Sequence, residues 1–243
     1  MLKTRDALKD ELGRLMLQVQ SRDGIPLFPL FAQNRAANIA KILVEMGFKP
    51  WIDGLARRLL RIELPETEQW LKEERIFFFD EKDREIAAAQ RHAIAEGKYG
   101  FAPIVAPSAS LDKGYAVEHA ERILPDPKNA LVFTGYMFEG SIAKQILNID
   151  KGRTIKLDKF RSDRDPASHQ PAYVNVRCAV HHFPLTSHDY QEALMKRVQL
   201  ARPEHLIIHH CDDAGFAGLS AALRETVPNL LVTRGSHMRE ITV

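Results

Sequence analysis

The chain has 243 residues, of which 45% are hydrophobic and 27% charged, proportions that are ordinary for a soluble globular protein. No apolar run approaches the roughly 20 residues that a membrane helix needs, which excludes a transmembrane class. Two cysteines, Cys178 and Cys211, are too few for a disulfide framework, so we expect a cytoplasmic protein. The net charge of +2 neither requires nor excludes a nucleic-acid partner, because a local basic groove is compatible with a balanced total.

The first half of the chain alternates predicted helices with short apolar runs. Residues 2–20 carry leucines at helical spacing, and residues 25–31 form an apolar run that two prolines limit to a short strand. A second helix opens at residues 32–35. Further strands are predicted at residues 50–53, 102–106 and 130–134, and further helices at residues 54–61, over most of 66–98, at 115–124 and at 141–147. Strands that alternate with helices predict an α/β fold with a largely parallel sheet.

The second half begins with a polar stretch and continues with a strand pattern. Residues 158–171 are polar and contain two prolines, so we expect a loop there. From residue 174 the apolar side chains recur at every second position, which predicts one strand with a buried face. The recurring residues are Val174, Val176, Cys178 and Val180.

The segment that follows predicts a strand–loop–helix–strand unit. Pro184 ends the strand, and Thr186 or Ser187 is suited to cap the next helix, whose apolar face lies within residues 194–201. Residues 206–208 form a short apolar run, which is typical of a buried parallel strand. A last helix and strand are predicted at residues 216–227 and 230–233.

Two histidines occupy positions in this unit where chemistry commonly occurs. His188 lies in the loop after the first strand, and His210 lies where the second strand ends. Sites in open α/β sheets gather beyond the carboxyl ends of the strands, and we expect these two strands to be adjacent. Metal ligation, acid–base work and a structural role all remain open for them. A structural role is the prediction for His92, His119, His169 and His205.

Three further segments are candidates for anion or nucleotide binding. Ser108 and Ser110 lie in a small-residue turn after a strand, where open backbone N–H groups suit a phosphate, although an ordinary turn has the same composition. Arg35, at a helix start, suits a phosphate or a carboxylate partner. Residues 135–141 place two glycines and two aromatic residues between a strand and a helix, where they either face a nucleotide or pack.

Taken together, these segments resemble the β-CASP branch of the metallo-β-lactamase superfamily, which comprises zinc-dependent nucleases of RNA processing. The most specific match is residues 126–147, similar to the pattern D-P-x-N-x-x-x-x-x-G-Y-x-x-x-G-T-x-x-x-x-x-L. Four other segments carry the resemblance: residues 26–38 (P-x-F-A-x-G-R, with Asn34 in place of glycine), 104–111 (I-x-A-S-S-G-M-L), 186–188 (S-G-H-A-D) and 206–211 (a strand ending in His-Gly).

The resemblance implies a fold and a division into domains. Residues 1–184 would form a β-CASP domain, with a parallel-rich sheet flanked by helices. Residues 185–243 would form the C-terminal part of a metallo-β-lactamase αββα sandwich. His188 would be the general acid that protonates the departing oxygen, and His210 would be a zinc ligand. Arg35, Ser108, Ser110, Thr186 and Ser187 would bind the substrate phosphate.

The main metal motif of the family, H-x-H-x-D-H, does not occur in this sequence. The complete family site holds two zinc ions, which one histidine cannot bind, so we expect this chain alone to bind zinc weakly or not at all. A partner is therefore expected, namely an N-terminal metallo-β-lactamase half that is either a separate chain or a missing segment. Self-association into a homo-oligomer is the other expectation, and no membrane is expected as a partner.

The sequence thus predicts part of a metal-dependent RNA-processing nuclease, either a fragment or half of a split enzyme. RNA is the expected substrate and partner. A non-catalytic RNA-binding or scaffold subunit of the same family is the alternative. A third hypothesis is a plain α/β domain whose histidines are structural.

Overall fold

The computed structural model of the chain describes residues 4–160, 169–185, 191–209 and 211–235. The helices are α1 (Arg5–Gln20), α2 (Arg35–Glu45), α3 (Leu55–Glu63), α4 (Thr67–Lys72), α5 (Arg84–Ala95), α6 (Tyr115–Ile123), α7 (Ile142–Asn148), α8 (Gln191–Ala201) and α9 (Asp213–Thr226). The strands are β1 (Pro26–Pro29), β2 (Trp51–Ile52), β3 (Phe77–Phe78), β4 (Ile104–Ala106), β5 (Ala130–Phe133), β6 (Thr154–Phe160), β7 (His169–Asn175), β8 (Ala179–His182), β9 (His205–Ile208) and β10 (Leu231–Arg234). No helix in these ranges is long and apolar enough to cross a membrane.

Six strands form one sheet in the order β3-β2-β4-β1-β5-β8, with all neighbours parallel. This confirms the predicted α/β class and its parallel sheet. Parallel strands run in the same direction, so their carboxyl ends meet at one edge of the sheet. We call this the carboxyl edge, formed by the residues that directly follow the six strands.

The strand β1 occupies the centre of the sheet although both of its end residues are prolines. Proline lacks the N–H that a strand ladder uses, which limits β1 to four residues. Backbone bonds just outside the prolines hold the two ends: Ala130 N–H donates to the Ile25 carbonyl at 3.1 Å, and Leu30 N–H donates to the Ala106 carbonyl at 3.1 Å. The prolines therefore mark the start and end of the strand without opening the sheet.

Side chains alternate across the sheet and pack into two cores, one on each face. Phe28 points into a core with α1, α2, α3 and α4, whereas Leu27 points into a core with α5, α6 and α7. Both side chains are fully buried. Burial on both faces explains why the strands read as continuous apolar runs.

The prediction of a loop at residues 158–171 is wrong for the part of this range that the structure describes. β6 and β7 pair there as an antiparallel hairpin, with Asp158 opposite Pro171. Ile155 and Leu157 are buried, so only alternate positions of β6 contribute to the core. The other face is open to solvent, which accounts for the polar composition. Proline is tolerated because β7 is an edge strand.

The single strand predicted at residues 174–180 is also wrong, because the chain divides into β7 and β8, which belong to different sheets. The N–H groups of Arg177 and Cys178 both donate to the Leu124 carbonyl, at 2.8 and 3.0 Å, and this contact holds the turn. The predicted burial of Val176 and Cys178 holds nevertheless. Burial raises the pKa of the Cys178 thiol to about 12, and both cysteines are free.

The chain divides into two compact units, residues 1–187 and 188–243. The second contains the parallel pair β9–β10 with α8 and α9. The prediction that β8 and β9 are neighbours in one sheet is wrong. β8 pairs with β5, and β9 pairs with β10. The run at residues 206–208 is less buried than predicted, because Ile207 is 45% exposed. The assignment of the unit to a metallo-β-lactamase sandwich stays a prediction.

A buried ionic cluster joins the sheet to two helices. Asp53 directly follows β2 and is fully buried. Its carboxylate accepts hydrogen bonds from Arg91 Nε at 2.7 Å, Arg91 Nη2 at 3.0 Å and the Gly54 N–H at 2.7 Å. His119 Nε2 lies 2.9 Å from Asp53 Oδ2. The Arg91 guanidinium also lies 4.0 Å from the ring centroid of Tyr115. One carboxylate therefore fixes α5 and α6 to the end of β2.

The charge state of Asp53 follows from these contacts. Burial by itself raises the pKa of this carboxyl, but the hydrogen bonds from His119 and Arg91 and their charges act in the opposite direction and outweigh it. The pKa of Asp53 therefore lies well below its ordinary value. The same hydrogen bond, after the opposing effect of burial, raises the pKa of Arg91. The two groups form a buried ion pair.

We expect Asp53→Asn to lower the free energy of unfolding by about 3–5 kcal/mol, because it removes the buried carboxylate charge that is hydrogen-bonded to Arg91 and leaves the more exposed Glu118, 3.6 Å away, as the counter-charge. Urea titration followed by circular dichroism measures the change. The matched control is Glu68→Gln, which breaks the exposed Arg61–Glu68 pair at the comparable distance of 2.8 Å. That change is expected to cost less than about 1 kcal/mol. Equal losses in the two variants would contradict a special role for the buried pair.

A pH dependence follows from the lowered pKa of Asp53. The unfolded chain binds a proton at this carboxyl below about pH 3.9, whereas the folded chain does not until lower pH. The stabilisation is therefore present above that pH and is lost as the pH falls below it. We expect the difference in unfolding free energy between the unmodified chain and Asp53→Asn to shrink by about 1 kcal/mol on reaching about pH 3. A constant difference in urea titrations across this range would refute the assignment.

Candidate functional site

Three loops of the carboxyl edge lie side by side because their strands do. β1 lies between β4 and β5, so residues 30–34, 107–114 and 134–141 leave the sheet at neighbouring positions. The helices α2, α6 and α7 begin at the ends of these loops. Ligands of parallel α/β sheets bind at such an edge.

Arg35 connects the loop after β1 to the loop after β5. It is the first residue of α2, its side chain is buried, and its Nη2 donates a hydrogen bond to the carbonyl oxygen of Thr134. This partner is neither the phosphate nor the carboxylate that the sequence suggested. Phosphate binding by Arg35 stays a prediction.

The residue before Arg35 explains a departure from the motif that this segment resembles. Asn34 has a φ of +57°, in the left-handed region that glycine favours and asparagine tolerates. Its backbone N–H lies 3.0 Å from each carboxylate oxygen of Glu63 on α3. Asparagine therefore adopts the backbone conformation that the glycine of the motif is suited to.

The serine turn after β4 brings its two predicted residues together. Ser108 Oγ and Ser110 Oγ lie 3.2 Å apart, and both residues are half-buried. The Ser110 carbonyl accepts the Ala143 N–H at 2.9 Å, and the Pro107 carbonyl accepts the Ala116 N–H at 2.6 Å. These bonds attach the turn to the first turns of α6 and α7. The paired hydroxyls are suited to a phosphate oxygen, and that role stays a prediction.

A small cavity of about 10 Å³ joins the three loops. Phe31, Ala109 and Tyr136 line it, one from each loop, together with Arg35 at the start of α2. Thr134 Oγ1 also lines it and is buried without a hydrogen-bond partner among the described residues. A volume of this size holds about one water molecule, and the Thr134 hydroxyl is a suitable partner for it. Arg35 and the serine turn therefore meet at one place.

Four of the predicted site residues lie outside the described part of the chain. They are Thr186, Ser187, His188 and His210. The described residues next to them include the buried Leu185 and the exposed Gln191 and His209. Their predicted roles stay predictions.

Two histidines that the sequence reasoning missed lie on β8, beside β5. His182 Nε2 lies 3.0 Å from the Gly135 carbonyl oxygen, which only accepts, so Nε2 carries the proton. His181 is half-buried and stacks on Phe183, with the ring centroids 6.1 Å apart. Burial, followed by the charges of Arg22 and Lys151, lowers the pKa of His181. In the sequence, the feature that could have identified both histidines is their position at the end of a predicted strand.

The described residues do not contain a group of side chains that could bind a metal ion. No three His, Cys, Asp or Glu side chains there are arranged to hold one. Asp53 and His119 are adjacent, but the Asp53 carboxylate is already bonded to Arg91. The residues that the structure describes therefore do not fit the zinc site that the family resemblance implies.

Comparison with known proteins gives a family match over this same region. The model of the Beta-Casp domain matches residues 29–146, from the end of β1 into α7. The matched range contains Arg35 and the serine turn.

Curated relatives match over longer parts of the chain. Transcription termination factor FttA of Methanothermobacter thermautotrophicus is 26% identical over 243 residues, which cover 92% of this chain and 36% of that protein. Probable RNase MJ4 of Methanocaldococcus jannaschii is 24% identical over 207 residues, 81% of this chain and 43% of that protein. Endoribonuclease ysh1 of Schizosaccharomyces pombe is 29% identical over 131 residues, 54% of this chain and 16% of that protein.

The chain therefore spans less than half the length of these relatives. The domain match covers the strands β2, β3, β4 and β5 and all three loops of the carboxyl edge. The longest of these matches covers 92% of the chain. The parallel sheet with helices on both faces, the motif segments at its carboxyl edge and these matches agree, and they indicate the β-CASP branch of the metallo-β-lactamase superfamily, whose Beta-Casp domain residues 29–146 match.

Proposed function

We propose that this chain is the RNA-binding part of a metal-dependent RNA-processing nuclease. The observation that carries the proposal is the Beta-Casp match over residues 29–146, which contains the described residues predicted to bind phosphate. The names of two matched relatives, an endoribonuclease and a probable RNase, support hydrolysis of RNA as the reaction class. The name of a third, a transcription termination factor, supports an RNA partner.

The chemistry of the carboxyl edge supports binding of a phosphate backbone. The donors at this edge are side chains, because the N–H groups of Asn34 and Gly54 at the starts of α2 and α3 already bond the carboxylates of Glu63 and Asp53. Arg35 and the hydroxyls of Ser108 and Ser110 add donors at the same edge. In this proposal they contact the RNA phosphates.

The proposal also includes catalytic roles for His188 and His210. His188 would protonate the departing oxygen of the scissile phosphate, as a general acid. His210 would ligate a metal ion that other ligands hold in place. Because the described residues do not provide a metal site, we propose that a metallo-β-lactamase half supplies the rest, either as a separate chain or as another segment.

The composition of the second unit supports such a partner. Among residues 191, 193–209 and 211–235, whose burial the structure describes, only Ile208, Ser220 and Leu223 are buried. Large apolar side chains are exposed on its helices and strands, namely Leu194, Leu200, Ile207 and Leu231. Parallel strands such as β9 and β10 are normally covered on both faces. An exposed apolar surface of this kind is typical of an interface.

We expect the chain by itself to self-associate or to bind a hydrophobic dye, because this apolar surface has no cover. Light scattering and dye fluorescence measure the two effects. Leu200→Ser and Leu231→Ser should reduce both, whereas Tyr173→Ser, at an equally exposed position of the hairpin, should not. A monomer without dye binding would contradict the proposed interface.

Alanine substitutions separate the proposed roles of His188 and His210. In a complex with a metal-binding half, His210→Ala should lower the metal content, because it removes a ligand. His188→Ala should retain the metal and slow RNA cleavage by about 10²–10⁴-fold, the loss typical of a general acid. A substrate whose leaving group needs no proton should recover part of that rate.

The control for this experiment is His92→Ala. His92 is exposed and pairs with Glu96 on α5, so its loss should change neither metal content nor cleavage. Equal metal content in His188→Ala and His210→Ala would refute the assignment of roles. RNA binding without cleavage in any form would favour the non-catalytic RNA-binding or scaffold subunit.

A further inference from the structure

Three aromatic side chains form an exposed group at the carboxyl edge. They are Phe31 after β1 and Tyr136 and Phe138 after β5, with exposed fractions of 46%, 66% and 52%. Phe138 contacts both of the others edge to face: its centroid lies 6.4 Å from that of Phe31 and 5.5 Å from that of Tyr136. We call this group the aromatic trio.

The geometry of the trio leaves ring faces available. The interplanar angles are 81° for Phe31 with Phe138 and 87° for Tyr136 with Phe138. A T-shaped contact places the edge of one ring on the face of the other, so each contact uses at most one face. Most ring faces of the trio are therefore outside these two contacts. Because about half of each side chain is exposed, the trio is a surface feature rather than an extension of the core.

The trio adjoins the groups that are proposed to bind phosphate. Phe31 and Tyr136 line the small cavity together with Arg35 and Ala109, and Ala109 separates Ser108 from Ser110. The carbonyl of Gly135, next to Tyr136, contacts His182. Ser141 caps α7 directly after the trio, and this helix is bonded to the serine turn through Ala143. Aromatic rings and polar donors thus alternate along a short stretch of one edge.

We propose that the aromatic trio is a stacking surface for the bases of single-stranded RNA. This inference rests on the proposed function, and it identifies the part of the RNA that this edge would recognise. Bases stack on exposed aromatic rings whatever their sequence, while donors beside the rings hold the backbone. A protein partner is the less favoured occupant, because the loops of the same edge carry the guanidinium of Arg35 and the hydroxyls of Ser108 and Ser110, which are donors suited to a phosphate backbone.

The single-stranded form follows from the chemistry of stacking. In an RNA duplex the base faces are occupied by neighbouring bases, and only unpaired bases can be placed against a side chain. The trio should therefore favour single-stranded RNA over a duplex of the same length. It should also contribute nothing to the binding of an oligonucleotide that has no bases.

The test is binding of fluorescein-labelled single-stranded oligouridylate to the full chain, measured by fluorescence anisotropy in the presence of a chelator. Tyr136→Ala and Phe138→Ala should each weaken binding by about tenfold or more, the amount typical of a lost base–aromatic stack. Tyr136→Phe, which keeps the ring, should bind like the unmodified chain. The matched control is Tyr173→Ala, because Tyr173 is 72% exposed on β7 and lies outside the trio. It should leave the affinity unchanged.

The outcomes distinguish this inference from the proposed function. If the chain binds RNA but the trio variants bind equally well, or if an abasic oligonucleotide binds as tightly as oligouridylate, the stacking surface is refuted and RNA binding stands. If the unmodified chain binds neither single-stranded nor duplex RNA, both proposals fail. If the variants leave the RNA affinity unchanged and alter the mass by light scattering, the trio is a protein contact and the inference is overturned. Unchanged circular dichroism melting of each variant excludes misfolding as the cause of a loss.

Discussion

The parallel pairing of β1 with β4 on one side and β5 on the other is the constraint on which the rest of the structure depends. A parallel pair requires a crossover connection, so each strand is followed by a helix and each crossover starts at the same edge. Three motif segments, at residues 26–38, 104–111 and 126–147, are thereby brought into neighbouring loops. The small cavity between Arg35, Ala109 and Tyr136 exists only because these strands are adjacent.

Polar contacts then fix the loops that the sheet brings together. Arg35 bonds the loop after β1 to the loop after β5, and the Ser110 carbonyl bonds the serine turn to α7. At the end of β2 the buried carboxylate of Asp53 holds α5 and α6. A buried charge is costly unless it is paired and hydrogen-bonded, and Asp53 accepts bonds from Arg91, His119 and Gly54. The edge that we propose binds RNA is therefore attached to fixed supports rather than to free loops.

The two units differ in how completely they bury their apolar residues. The six-stranded sheet has a core on each face, whereas the pair β9–β10 leaves several large apolar side chains exposed. This contrast fits a division of work in which the first unit binds the nucleic acid and the second completes a surface that a metal-binding half provides. The proposed stacking of bases on the aromatic trio would act in the first unit, independently of any metal.

The sequence by itself determined the α/β class, the strands at the centre of the sheet and the motif segments, because buried parallel strands leave continuous apolar runs between glycines and prolines. It did not determine pairing. The run from Val174 to Val180 has a regular alternation, yet the turn held by Leu124 divides it between two sheets, and burial alone cannot distinguish one strand from two. The hairpin of β6 and β7 was missed because its polar face conceals the pattern. Asp53, Arg91 and His119 are distant in sequence, and only the tertiary structure brings them within hydrogen-bond distance, since their contacts arise from the packing of α5 and α6 on the sheet.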